Sequence, residues 1–199
     1  MHETGDTLHF GVSAVSFDAK DAIRDGNARF RVRPDADLAG TRLVDSGQFA
    51  DADKITTFGG EAAWVKGPFK LQGVTMQTKV TRDLNPDFSF YSYYVSGLWN
   101  LTGESWSYKA GNLVTTLPED PSKGMWQLGA RYDKVDLTHK FVTGGEESNW
   151  TLGVNYYWRS NFKFALNYVM VDSEKRATII APLIQDNPNI IEFRAQVYW

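Results

Sequence analysis

The chain has 199 residues, of which 42% are hydrophobic and 23% are charged, and its formal net charge is −3. This composition excludes a disordered tail and a coiled coil, and the acidic balance argues against a general nucleic-acid binder. The absence of cysteine excludes a disulfide scaffold, a cysteine-ligated zinc site and thiol catalysis. Aromatic residues make up 14% of the chain, which favours an all-β protein.

Alternation of apolar and polar residues predicts nine strands. These strands are expected at about residues 7–18, 27–34, 54–65, 69–82, 88–101, 124–141, 148–158, 162–174 and 190–199. No helical periodicity competes with this pattern, and no apolar run approaches the length of a transmembrane helix. Met1 is not followed by a basic start and an apolar core, so we expect no signal peptide in this chain.

The connections between the predicted strands differ in length at the two ends of the sheet. Tight turns are expected at Lys66-Gly67-Pro68 and Arg159-Ser160-Asn161. Longer polar loops are expected at the opposite end, at about residues 35–53, 83–88, 142–147 and 175–189. This asymmetry is typical of an antiparallel outer-membrane β-barrel. A long connection at residues 102–123 is the exception, because it falls at the short-turn end.

Aromatic residues concentrate at the ends of the predicted strands, as in the interfacial girdles of membrane barrels. The clearest cases are Trp64, Phe69, Trp158, Phe162 and Trp199. The alternative is a soluble, lipocalin-like barrel, in which the apolar face points inward and encloses a dry lumen or a small ligand.

Three arginines alternate with apolar residues in the segment 27–34. On a strand, Arg29, Arg31 and Arg33 share one face and stand roughly 6.6 Å apart. Each arginine would cost about 2–4 kcal/mol if it faced lipid near the midplane, so we expect the row to line the water-filled side of a barrel-wall strand. Guanidinium groups match phosphate oxygens and keep their charge, so the row predicts successive anion sites. The alternative is three solvated arginines on an edge strand.

Further charged residues are expected on the same inward side by alternation. They are Lys70, Arg131, Lys163 and Arg194, with Glu61, Asp133 and Glu192 as opposing acids. Arg42, in the loop after the arginine segment, is expected to extend the row toward the outside. The register of 69–82 is ambiguous, since Phe69 and Leu71 favour one face and Met76 and Val80 the other. A bulge at Gly73 would reconcile them, and the orientations of Lys79 and Arg82 remain open.

The arginine segment and the following Arg42-Leu43-Val44-Asp45-Ser46-Gly47 resemble the phosphate-selective porins O and P. The similarity continues at Gly67–Gly73, Leu101–Glu104, Trp126–Tyr132, Gly153–Trp158 and Asn167–Val169, and ends at the terminal aromatic Trp199. The order and spacing of these pieces over nearly the whole chain make the resemblance specific. Val74 departs from the family pattern, which usually has glutamate at that position.

The resemblance implies a sixteen-stranded, usually homotrimeric porin in the outer membrane of a Gram-negative bacterium. Such a porin passes phosphate or related anions by passive diffusion, with no enzymatic step and no cofactor. Arg29, Arg31 and Arg33 resemble the family's arginine ladder, and Lys163 is assigned to the lysines near the periplasmic mouth. Trp199 resembles the terminal aromatic residue that the barrel-assembly machinery recognises.

About nine strands cannot form a sixteen-stranded barrel. We therefore expect residues 1–199 to be the C-terminal part of a single porin barrel domain. The N-terminal half, with the signal sequence and the constriction loop that folds inward, is expected to lie outside this chain.

Other functional classes are less well supported by the residues. Catalysis would need a base near a nucleophile, and none of the three histidines, His2, His9 and His139, has an obvious serine partner. Asp51 and Asp53 lack the glycine and the terminal glutamate of a calcium loop, so we expect no metal site. A barrel without transport function, either a soluble ligand-binding barrel or a surface adhesion or structural protein, remains the alternative.

Overall fold

A computed structural model describes residues 6–22, 27–36, 38–109, 111–114, 117–159 and 161–199. Within this part the chain forms thirteen strands and one short helix. These are β1 (Asp6–Asp18), α1 (Ala19–Ala22), β2 (Ala28–Val32), β3 (Val44–Phe49), β4 (Ala52–Lys66), β5 (Phe69–Arg82), β6 (Phe88–Asn100), β7 (Ser107–Lys109), β8 (Asn112–Val114), β9 (Met125–His139), β10 (Val142–Trp158), β11 (Phe162–Arg176), β12 (Leu183–Asp186) and β13 (Asn189–Val197). No described helix is long and apolar enough to cross a bilayer.

Nine strands form one antiparallel sheet in the order β1-β4-β5-β6-β9-β10-β11, followed by β12 and β13. β12 pairs with residues 173–176 of β11 and β13 with residues 162–170, so these two strands share one position beside β11. The sheet therefore has eight wall positions. In the described part of the chain its two edges do not pair with each other, and the sheet is open.

The short turns lie at one end of this sheet, as predicted. Gly67 (φ 53°) lies in the turn between β4 and β5, and Arg159 (φ 56°) follows the end of β10. At the opposite end, β9 and β10 are joined by a tight turn at Lys140 and Phe141, which are followed directly by β10. The expectation of a polar loop at 142–147 is wrong, because these residues begin β10 and absorb a register shift between Thr143 and Glu146.

The arginine segment forms a strand, β2, but this strand is not part of the barrel wall. β2 pairs with β3 in a separate two-stranded sheet, called here the inner hairpin. β2 was expected to be a wall strand between β1 and β4. It cannot pair there, because β1 pairs directly with β4 along its whole length, from Asp6 opposite Lys66 to Asp18 opposite Lys54. The inner hairpin thus belongs to the connection between two adjacent wall strands.

The inner hairpin packs on one face of the sheet, called here the inner face. Ala28, Val44 and Phe49 are buried against wall residues near the long-loop end, namely Ile55, Val80, Phe88, Phe90 and Leu137. The ring centroids of Phe49 and Phe88 are 4.6 Å apart, and those of Phe30 and Phe90 are 5.2 Å apart. The sequence did not predict such an inward-packed segment within this chain.

The opposite, outer face is apolar and exposed. Phe10 on β1 is 71% exposed, Phe193 on β13 63% and Leu152 on β10 48%. The outward-facing residues next to them on each strand are apolar, and polar residues occur on this side only near the strand ends. On β10, Trp150 and Trp158 bracket Leu152 and Val154 and are eight residues apart. That separation is about 27 Å along the strand, or about 21 Å along a barrel axis at a tilt of about 40°, close to the apolar band of outer-membrane barrels.

Aromatic rings mark both borders of this band. Trp126 stacks on Tyr156 and Trp158 on Phe162 near the short-turn end, whereas Tyr132 contacts Trp150 on the long-loop side. Of the predicted strand-end aromatics, Trp64, Phe69, Trp158 and Phe162 therefore lie on the outer face, and Trp199 follows β13 as an exposed residue. A soluble barrel would bury this face instead, so the soluble alternative does not fit the observed orientation.

Candidate anion-binding site

The inner hairpin reaches from the long-loop end to about the middle of the inner face. Beyond the β2–β3 pairs, Asp35 accepts a hydrogen bond from Thr151 Oγ1 at 2.9 Å and lies 3.7 Å from Arg131 Nε. Thr151 is the tenth of the seventeen residues of β10. The segment between β2 and β3, called here the hairpin tip, is therefore anchored at mid-height on the wall.

Arg29 and Arg31 of β2, and Arg33 directly after it, face away from the wall into the space bordered by the inner face. Arg29, Arg31 and Arg33 are exposed, whereas Phe30 and Val32 are partly buried against the core. The predicted alternation of the segment is thus confirmed. Because Phe30 and Val32 are held by the core, the guanidinium groups are fixed on the free side of the hairpin.

Arg42 joins this row from the returning arm of the hairpin. Its Nη1 donates to the carbonyl oxygen of Arg31 at 3.5 Å. The pKa of Arg42 is lowered by burial, and further by the positive charges of Arg31 and Arg33. Arg42 lies beyond the pairing of Val32 with Val44, on the side of the hairpin tip. The expectation that it extends the row toward the outside is therefore wrong, since it extends the row toward mid-height.

Among the described residues, Asp45 forms an ion pair with one of these arginines. Arg29 donates to it through both Nε, at 2.9 Å to Oδ1, and Nη2. The pKa of Asp45 is lowered to about 2, first by the hydrogen bonds from Arg29 and then by the Gly47 N–H and the charges of Arg29 and Lys175, against the opposing effect of burial. Asp45 is therefore ionised at neutral pH. The four arginines and Asp45 carry a combined charge of +3.

Lys163 lies on the inner face but far from the arginines. It is the second residue of β11, opposite Tyr157, and its Nζ is 5.2 Å from the centroid of that ring. Val169, which pairs with Thr151 at the level of the hairpin tip, is six residues further along β11. Lys163 is thus about 20 Å from the tip, at the short-turn end. The structure brings the four arginines together but not Lys163.

The other charged residues predicted to point inward do lie on the inner face. By register, Lys70, Arg131 and Arg194 share the face of Lys163, as do Glu61, Asp133 and Glu192. Arg131 is largely neutralised, because its Nε is 3.1 Å from Asp133 Oδ1. The two orientations left open are now assigned. Lys79 is on the outer face, and Arg82 on the inner face pairs with Asp51.

The register of β5 is continuous through Gly73, which pairs with Ala62 on one side and Val95 on the other. The expected bulge at Gly73 is therefore wrong. Phe69 and Leu71 point outward and Met76 and Val80 inward, within one uninterrupted strand.

Both described histidines are held by groups other than a serine hydroxyl. His9 contacts Tyr108 Oη through Nδ1 and Glu61 Oε1 through Nε2, both at 3.1 Å. His139 Nδ1 is 2.7 Å from the backbone nitrogen of Ser89. His2 lies outside the described residues.

Three residues of the arrangement were not singled out for the site from the sequence. Asp35 anchors the tip, Asp45 pairs with Arg29, and Lys175 donates from its Nζ to the carbonyl oxygen of Asp45 at 3.0 Å. Asp35 and Asp45 carried no signal beyond being acids in a long connection. Lys175 carried none, because it lies 130 residues away from Asp45.

Comparisons with known proteins agree with this architecture. A family model of the phosphate-selective porins O and P matches residues 1–199. Porin O of Pseudomonas aeruginosa is 28% identical over 205 aligned residues, which cover 88% of this chain and 46% of Porin O. An uncharacterized protein of Caulobacter vibrioides is 29% identical over 171 residues, which cover 83% of this chain and 34% of that protein. The chain thus spans less than half the length of these relatives. Because the family model covers the whole chain, the chain belongs to the phosphate-selective porin O and P family.

Proposed function

We propose that residues 1–199 form the C-terminal part of a single outer-membrane porin barrel domain of a Gram-negative bacterium. The complete barrel would pass phosphate or related anions by passive diffusion. The eight wall positions found here are half of the sixteen strands that the resemblance implies. The coverage of 46% of Porin O is in keeping with that share.

The orientation of the sheet supports a water-filled passage on the inner face. Apolar side chains cover the outer face, and the inner face carries charged and polar residues in addition to the inner hairpin. In a lipid bilayer the outer face would contact acyl chains, and the inner face would contact water. The fold therefore separates the two environments that a diffusion pore needs.

The observation that carries the proposal is the position of four arginines on the free side of the inner hairpin. Arg29, Arg31, Arg33 and Arg42 lie near one another, on the side of the hairpin that would face the proposed passage. An anion that leaves bulk water there exchanges part of its hydration shell for guanidinium N–H donors. Neighbouring donors of similar strength allow it to step onward instead of remaining bound, and no covalent step is involved.

Lys163 is proposed to act separately, at the short-turn end. Lys70 and Arg194 lie on the inner face near that end as well. A positive potential at this mouth would draw anions between the hairpin and the periplasmic space. Lys163 would therefore affect the rate of anion passage, but it would not bind the anion at the arginine row.

The further partners follow from the family resemblance. A homotrimer embedded in outer-membrane lipid is proposed, with assembly by the barrel-assembly machinery through Trp199. Trp199 follows β13 at the short-turn end and is fully exposed, so it is accessible to such a partner.

The test uses the full-length porin in planar bilayers, with Arg29, Arg31 and Arg33 replaced together by alanine. At about 7 Å and the dielectric constant of water, each charge acts on an anion with about 0.6 kcal/mol, so three contribute about 1.8 kcal/mol. Because the same charges also repel cations, we expect the anion-to-cation permeability ratio, measured from reversal potentials in a salt gradient, to fall by at least about 20-fold.

A matched control removes three exposed positive charges that lie elsewhere, by replacing Lys54, Lys79 and Arg176 with alanine. This control should leave the permeability ratio within about twofold of the wild type. Unchanged selectivity in the β2 variant, with channels still forming, would show that the row does not select the anion.

A further inference from the structure

Among the described acids near the arginine row, Asp45 forms a bidentate ion pair with one of the row's arginines. Both of its carboxylate oxygens face Arg29, and Oδ1 also accepts the Gly47 N–H at 3.0 Å. Its side chain is 15% exposed, whereas that of Arg29 is 47% exposed. Its negative charge also acts on Arg42, opposing the effect of the other arginines. The carboxylate is thus fixed by the hairpin, next to a row proposed to bind mobile anions.

A carboxylate that accepts from both Nε and Nη2 of a guanidinium uses the donors that a phosphate would use. While Asp45 is in place, Arg29 offers these two donors to no other anion. Asp45 is also the β3 partner of Arg31 in the β2–β3 register, so its charge reduces the field of the neighbouring sites.

We propose that Asp45 is a built-in competitor for the permeating anion, which keeps the arginine row from binding phosphate too tightly for fast release. This inference rests on the proposed pore function and adds a residue that sets its affinity and throughput. Without Asp45 the combined charge of these residues would rise from +3 to +4, and the row would hold an anion longer. With Asp45, the charge is +3 and the first guanidinium is already occupied.

The competitor is held rigidly, which distinguishes it from an acid on a flexible loop. Its carbonyl oxygen accepts from Lys175 on β11, and its carboxylate accepts from the backbone of Gly47. These contacts hold the backbone and the carboxylate of Asp45 beside Arg29. The fixed carboxylate therefore limits the affinity of the arginine row for anions.

The test compares Asp45→Asn with the wild type in the full-length porin, with inorganic phosphate as the probe. The single Oδ1 of asparagine can still accept from Arg29 Nε and the Gly47 N–H, whereas an NH2 donor replaces the oxygen that accepts from Arg29 Nη2, so the variant removes the charge and one of the two Arg29 contacts with little change in shape. We expect the half-saturating phosphate concentration of single-channel conductance to fall about tenfold, and the maximal conductance to fall as release slows. Asp120→Asn, which removes an exposed acid at the short-turn end, should change neither quantity.

The double variant Arg29→Gln with Asp45→Asn provides the decisive comparison, because it removes the ion pair as a unit and leaves the charge at +3. Its half-saturating concentration should stay within about twofold of the wild type. This prediction stands by itself if Asp45→Asn alone does not assemble. A tenfold tightening that persists in the double variant would mean that Asp45 does not act through Arg29, and the proposal would be wrong.

The proposal is also overturned if Asp45→Asn forms channels with wild-type phosphate saturation while the triple arginine variant loses selectivity. If the triple variant keeps its selectivity, the proposed pore function fails first. The two failures are therefore distinguishable.

Discussion

Replacing Phe49 with alanine should detach the inner hairpin while leaving the wall intact. Phe49 is 7% exposed, and its ring packs on Phe88 and lies 5.3 Å from the guanidinium of Arg82. Truncation of a buried phenylalanine costs about 3–5 kcal/mol. An isolated two-stranded hairpin is at best marginally stable, so most of this loss should appear as detachment from the inner face. The detached population should rise by about two to three orders of magnitude.

Limited proteolysis with trypsin measures this population, because the bonds after Arg29 and Arg31 lie within β2. When the hairpin opens and closes faster than it is cleaved, the cleavage rate follows the open fraction. We expect cleavage in β2 to accelerate by a similar two to three orders of magnitude in Phe49→Ala. Protection of the wall strands should be unchanged, and the anion-to-cation permeability ratio should fall if the arginines line the proposed passage, because they are no longer held on the inner face.

Phe141→Ala is the matched control, since Phe141 lies at the same end of the sheet and is 74% exposed. It should leave cleavage in β2 unchanged. If Phe49→Ala also left this cleavage unchanged, the aromatic core would not be what holds the hairpin on the inner face.

Two further predictions concern the orientation of the wall and the pH dependence of the hairpin. Leu152→Arg, on the outer face, should lower the free energy of unfolding of the barrel in lipid by about 2–4 kcal/mol, measured by denaturant titration. Asn167→Arg, on the inner face beside Glu192, should lower it by under about 1 kcal/mol. Equal losses in the two variants would contradict the assigned orientation of the wall. Since the pKa of Asp45 is lowered to about 2 from 3.8, its contribution to holding the hairpin is complete above about pH 4 and is lost as the pH falls through about 2. Hydrogen exchange of the Gly47 amide, corrected for its intrinsic rate, should therefore be constant from about pH 8 to pH 5 and accelerate near pH 2, and an acceleration between pH 8 and pH 5 would assign the effect to another group.

The wall strands could be predicted from the sequence because each alternates locally. β10 and β11 illustrate this, since their apolar residues recur at every second position and the structure pairs them from Trp158 with Phe162 up to Glu146 with Glu174. β3, β7, β8 and β12 were missed because each has at most six residues and none has a clear alternation. Local alternation therefore specifies long strands and their faces.

Alternation could not reveal which sheet the arginine segment joins. The faces of β2 were predicted correctly, but its pairing depends on residues of β3 and on the complete match of β1 with β4. The site has the same dependence on distant residues. Lys175 on β11 and Thr151 on β10 contact the hairpin residues Asp45 and Asp35 across the fold, and no local pattern connects them.

The ambiguity of β5 has a physical origin that other sequences of this kind should share. Near the short-turn end, Phe69 and Leu71 face the outer side, where lipid favours apolar groups. Nearer the long-loop end, Val80 faces the inner side, because the inner hairpin covers it there. The apolar residues therefore change face along one unbroken strand.

The same change occurs in the neighbouring strand β6. Trp99 is exposed on the outer face, while Phe88 and Phe90 are buried on the inner face under the hairpin. A bulge would shift the hydrogen-bond register of one strand, but it would not move the apolar residues of two paired strands to the same inner region. A coordinated change of apolar face in adjacent barrel strands therefore indicates that a segment of the chain packs inside the barrel at that height. In this chain that segment carries the arginine row.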